Sequence, residues 1–160
     1  MTEPMTIPDA AEALMIGAAD LPEAVNSPEP PAAPGFSVDA AKVAPEGGTD
    51  PVFGSVAWRT LICADRTPTK EFVLGIAEFG PRGTLNPHRH EPAEFYLCIE
   101  GGGTATIDGI AHALVPGVAV YIPGNAEHGV VAGPEGLRFA YGFAEAAFSG
   151  VTYRFSSAAA

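Results

Sequence analysis

Three of the four histidines in the chain fall into an ordered pattern with one glutamate. His88 and His90 stand one residue apart in Asn86-Pro87-His88-Arg89-His90. That spacing puts both imidazoles on the same face of an extended strand and turns Arg89 the other way. Glu94 follows beyond Pro92 and opens Glu94-Phe95-Tyr96-Leu97-Cys98-Ile99-Glu100. Alternation groups Glu94, Tyr96, Cys98 and Glu100 on one face of that strand, with Phe95, Leu97 and Ile99 on the packing face. His128 closes Pro123-Gly124-Asn125-Ala126-Glu127-His128, just after the strand-like Val118-Ala119-Val120-Tyr121-Ile122. Three neutral nitrogen donors and one hard oxygen suit a single divalent transition metal of borderline softness. Polar residues near turns are the plainer alternative. The pattern favours His88, His90, Glu94 and His128 as metal ligands.

The elements that must carry these residues are short. From Ser55 onward, apolar runs recur at 55–63, 70–79, 94–100, 103–108, 111–115, 118–122, 127–132, 137–143 and 150–155, each bounded by Gly, Pro, Asn or Asp. They are rich in Val, Ile, Phe and Tyr and show no helical period, so the domain reads as all-β, a sandwich or barrel. Asp108-Gly109 between two such runs signals a tight hairpin, and Gly101-Gly102-Gly103 reads as a turn. His112 lies outside the ligand pattern and reads as structural or exposed, and Glu100 and Glu127 as solvated.

Ahead of this domain, residues 1–51 hold nine of the 16 prolines, and residues 1–50 hold nine acids against one lysine. They read as an acidic, Pro-rich leader, with a short N-capped helix from Asp9 to Ile16 followed by an extended segment. Residues 52–160 form the β-domain. A net charge of -11 argues against nucleic acid or an anionic membrane as partner. No run approaches the roughly 18 apolar residues of a membrane span, and no secretory signal precedes the leader, so a cytoplasmic protein is expected. Two cysteines, Cys63 and Cys98, allow at most one disulfide. The sheet edges of so small a domain leave homodimerisation by strand or leader exchange open.

A family resemblance enters on these residues. Gly83 to Gly101, with His88-x-His90, three residues, Glu94 and six residues before Gly101, resembles the first cupin motif. Gly117 to His128, with Pro123 between, resembles the second. Gly83 stands one position late, and Asn125 and Ala132 replace residues usual in the second motif. The resemblance implies a double-stranded β-helix, or jelly-roll, barrel with the metal inside. A narrower likeness is carried by His88-Arg89-His90-Glu91-Pro92-Ala93-Glu94-Phe95-Tyr96, by Tyr121 to His128 and by Phe148 to Tyr153. Those segments resemble the small cupin dimethylsulfoniopropionate (DMSP) lyases of the short W-type or K-type.

That resemblance implies β-elimination of DMSP to dimethyl sulfide and acrylate, with a metal drawing charge from the substrate carboxylate and a tyrosine as base. Iron(II) is the first choice of metal, with manganese, nickel, zinc and cobalt also compatible. Tyr96, on the face of Glu94, is the first candidate base and Tyr153 the second; the pattern alone also allows both to be packing tyrosines. A sulfonium has no hydrogen-bond donor, so aromatic faces would hold it. Trp58, Tyr121 and Tyr141 are the chosen substrate-binding candidates, from a set that includes Phe72, Phe139 and Phe143. Another metal-dependent cupin enzyme, such as an iron dioxygenase or an isomerase, and a non-catalytic small-molecule-binding cupin are the alternatives.

Overall fold

The computed structural model describes residues 34–156, and the helix expected at 9–16 lies outside them. Over the described residues the chain forms nine strands: β1 (Glu46–Gly47), β2 (Ala57–Ile62), β3 (Val73–Phe79), β4 (Thr84–Arg89), β5 (Glu94–Ile107), β6 (Ile110–Leu114), β7 (Ala119–Ile122), β8 (His128–Phe143) and β9 (Arg154–Phe155). The helical elements described are two three-residue 3-10 turns, Ala40–Lys42 and Phe148–Gly150. The first lies in the stretch that composition assigns to the leader, and so does β1, which pairs on β2 through Glu46↔Trp58.

The barrel is organised by one long antiparallel ribbon. β5 and β8 pair along almost their whole length, from Glu94↔Phe143 to Ile107↔His128. The first half of β5 also pairs with β7 and the second half with β6. The corresponding halves of β8 pair with β3 and with β4. The ribbon therefore belongs to two sheets at once, β1-β2-β3-β8-β5-β7 and β9-β4-β8-β5-β6, and bends between them. The bend lies at register shifts between Cys98 and Glu100 and between Gly101 and Gly103. The glycine run expected as a turn is thus inside a strand. Gly101 has φ +73, and a Cβ there would run into the Gly136 carbonyl on β8, so only glycine lets the crossing strands come this close. The same bulge turns Glu100 out to solvent, away from the face it was expected to share with Tyr96.

Alternation decides what lies inside. β3 buries Val73, Ala77 and Phe79, and β5 buries Glu94, Tyr96 and Cys98 while Phe95, Leu97 and Ile99 stay exposed. The Asp108-Gly109 hairpin forms as expected, both residues at positive φ and Ile107 opposite Ile110. Burying a side chain such as Phe139 is worth about 1.5–3 kcal/mol; it stacks on Phe79 and Tyr96 to fill the floor of the barrel. Apart from the two-residue β1, β4 is the strand that apolar patterning misses. Its sequence Thr-Leu-Asn-Pro-His-Arg has one aliphatic residue, and the proline is accommodated beside a register shift between Leu85 and His88.

Candidate metal centre

The four expected ligands come from three places that the ribbon topology brings together. His88 is in β4, directly opposite His128, the first residue of β8. His90 follows β4, and Glu94 opens β5. The three histidines are each 1% exposed and Glu94 is 6% exposed. Arg89, between two of them, points outward to pair with Glu127 at 3.0 Å, as strand alternation requires.

The ring orientations define what the cluster can bind. Each Nδ1 lies 2.9 Å from a backbone carbonyl: His88 on Asn86, His90 on Pro92, His128 on Ala126. A carbonyl only accepts, so each Nδ1 carries the hydrogen and donates it, leaving Nε2 with a bare lone pair in the neutral ring. The three rings offer ligand atoms within 4.8 Å of one another. Oε2 of Glu94 lies 3.3 Å from His90 Nε2 and 3.2 Å from His128 Nε2, and His128 Nε2 has no hydrogen-bond partner. These are acceptors facing acceptors. A buried carboxylate without a positive partner costs several kcal/mol, so the arrangement fits a cation held between the four groups.

Electrostatics agree on a neutral imidazole at His88. Burial, and next the neighbouring His128, lower the His88 pKa to about 4. Burial pushes the Glu94 carboxyl up, but the two imidazoles beside it, His128 and His90, outweigh burial and keep the group below the usual carboxylate range. The phenol of Tyr96 goes the other way, well above its ordinary value, because it is fully buried and faces the Glu94 charge.

A cavity of about 300 Å³ opens beside this cluster. His88 and Glu94 form its inner end, and rings form its walls: Phe53, Trp58, Tyr96, Phe139, Tyr141, Phe148 and Tyr153. The two candidate bases flank the imidazoles. The Tyr96 ring is 6.3 Å from His128, and Tyr153 is 5.4 Å from His88 and 5.2 Å from His90. Trp58 and Tyr141, two of the three substrate-binding candidates, line the cavity. Tyr121 does not: it is 70% exposed, because β7 turns Val120 and Ile122 inward and its phenol out. Phe72, at 45% exposure, is also outside, and Phe143 packs behind His90. The sequence reading missed Phe53, Phe148, Glu46 and Arg66. Phe148 sits in the same tail segment as Tyr153, and the other three carry no local signal.

Comparison with known proteins gives the following. A family model described as a cupin domain matches residues 75–140. The dimethylsulfoniopropionate lyase DddW of Ruegeria pomeroyi is 55% identical over 145 residues, spanning 91% of this chain and 93% of that protein. Among solved structures, the polyketide cyclase RemF from Streptomyces resistomycificus matches with a TM-score of 0.64 at 28% identity, over 77% of this chain and 87% of that one. A structure from a study of the DMSP lyases RdDddP and RnDddQII matches with a TM-score of 0.60 at 18% identity, over 72% of this chain and 63% of that one, a likeness of fold.

Proposed function

The chain belongs to the cupin family of dimethylsulfoniopropionate lyases, and from that premise we infer that it cleaves DMSP by metal-dependent β-elimination, with Tyr96 as the base. The observation that carries the reading is the set of three bare Nε2 atoms and one buried carboxylate at the inner end of an aromatic cavity. His88, His90, Glu94 and His128 would hold one divalent transition metal. When bound, such an ion supplies Lewis-acid polarisation of a substrate carboxylate.

The chain's own residues supply the rest. The difficult step is removal of a proton from the carbon next to the carboxylate. Tyr96 and Tyr153 are the phenols nearest the ligand rings. Tyr96 is the better placed to act as base, since it shares a strand face with Glu94 two residues away and is 1% exposed. Burial and the Glu94 charge keep its phenol protonated in the absence of a nearby cation, so its basic form is expected only in the metal-loaded protein. Tyr153, half-buried and stacked beside His88, would orient the substrate. As the carbon–sulfur bond breaks, its electrons leave with a neutral thioether, so no acid is needed at sulfur. Trp58, Phe53 and Tyr141 line the cavity, and their rings would hold the sulfonium.

Anaerobic incubation of the metal-loaded protein with DMSP, followed by headspace detection of dimethyl sulfide and quantification of acrylate, tests this. Equimolar products without oxygen consumption are expected; a requirement for dioxygen, or no thioether release, would overturn it.

A further inference from the structure

Elimination turns a zwitterion into a neutral thioether, a carboxylate anion and one proton. If the proposed function holds, each turnover therefore leaves a proton in a cavity walled by aromatic rings. The first sheet offers a path out. Thr60, Gly75, Tyr141 and Tyr96 are successive partners in one cross-strand row, on β2, β3, β8 and β5. All four face the interior. Gly75 is the gap in that row. A Cβ at this position would collide with the Tyr141 hydroxyl and ring, so the absence of a side chain lets the phenol lean over β3 toward Thr60. The Tyr141 hydroxyl is buried, lines the cavity and has no hydrogen-bond partner. Thr60, 4% exposed, donates to Oε1 of Glu46 at 3.4 Å. Glu46 stands at the cavity mouth, gripped at 2.6 and 2.7 Å by the guanidinium of Arg66, and its side chain is 36% exposed.

We propose that Tyr141, Thr60 and Glu46 form the exit route by which the proton released in each turnover reaches solvent. Whichever group first takes the proton, a water in the cavity passes it to the Tyr141 hydroxyl, whose own proton goes on through a second water to Thr60. Thr60 hands its proton to Glu46, and Glu46 gives one to bulk water. Only O–H bonds form and break, and one proton enters and one leaves. The charged groups around the outer end are suited to release. Arg66, through its hydrogen bonds, holds Glu46 below the usual carboxylate range, so the carboxylate does not retain the proton. Asp65, beside Arg66, is committed to Ser149, and Cys63 adjoins Asp65. The opposite end of the row faces Glu94.

Proton exit follows the irreversible loss of thioether, so it enters kcat and not kcat/KM. In the metal-loaded Thr60→Val variant, measured with DMSP in dilute buffer, kcat should fall roughly tenfold while kcat/KM stays within about twofold. Raising the concentration of a small buffer such as imidazole should restore kcat, which a packing defect would not permit. Glu46→Gln, at a part-exposed position, should show the same split and rescue, and Thr60→Ser should behave as wild type. Unchanged kcat in Thr60→Val and Glu46→Gln, or a joint fall of kcat and kcat/KM that buffer does not restore, overturns the route alone. A wild-type protein that releases no thioether overturns the proposed function and the route with it.

Discussion

At the inner end of the cavity each imidazole is fixed by a 2.9 Å hydrogen bond to a carbonyl, and each of the four candidate ligands is almost fully buried. At the outer end, Glu46 and Arg66 meet across two short elements, with Arg66 48% exposed. One end rests on the long β5–β8 ribbon, where a small error in geometry would misplace a ligand. The other rests on a two-residue strand and a loop, where an ion pair in water is worth less than about 1 kcal/mol. On the proposed reading, metal binding and chemistry fall to the rigid end, and passage of substrate, product and proton to the adjustable one.

The comparison predicts a graded response to substitution. His128→Ala should have the largest effect, with loss of bound metal and a fall in thioether release of at least about 100-fold; elemental analysis beside a headspace assay checks both. Tyr96→Phe should lower kcat by roughly 10²–10⁴-fold yet retain metal, and near-normal turnover would remove Tyr96 from the mechanism.

Acid should weaken the inner end selectively. The His88 pKa is lower in the folded chain, about 4 against an ordinary 6.5, so the unfolded chain binds the proton more readily. Its contribution is fully present above pH 6.5 and is lost as pH falls toward 4, a change of about 3 kcal/mol. Glu94, also lowered, acts with the same sign. Thermal melts of metal-free protein across that window should show the decline, and His88→Gln should flatten it. Gly75→Ala should cost about 1–3 kcal/mol through the clash with Tyr141, read as a lower denaturant midpoint. Tyr121→Ala, on the outer face, should change stability by no more than about 0.5 kcal/mol and leave DMSP cleavage untouched.

Much of the inner end was legible because its chemistry is local. One-residue spacing in His88-Arg89-His90 and alternation from Glu94 to Cys98 fix which side chains share a face, whatever surrounds them. The ribbon was less legible. Apolar runs at 94–100 and 103–108 read as two strands, because a glycine triplet looks the same whether it turns the chain or bends it under a crossing strand. β4 was unreadable from hydrophobicity because its buried inward residue is a histidine, His88. The direction of Tyr121 follows from burial of its neighbours Val120 and Ile122, which an apolar run of five residues does not specify. Glu46, Phe53 and Arg66 reach the cavity only through long-range pairing, so nothing near them in sequence marks them.

The most direct test of the four-ligand cage is the metal content and coordination of the purified wild-type chain, by elemental analysis with X-ray absorption spectroscopy. One divalent transition-metal ion per chain, ligated by nitrogen and oxygen at about 2.0–2.2 Å with a clear imidazole signature, is the expected result. A chain that releases dimethyl sulfide from DMSP at full rate with no stoichiometric metal, or a metal with no histidine in its shell, would contradict it.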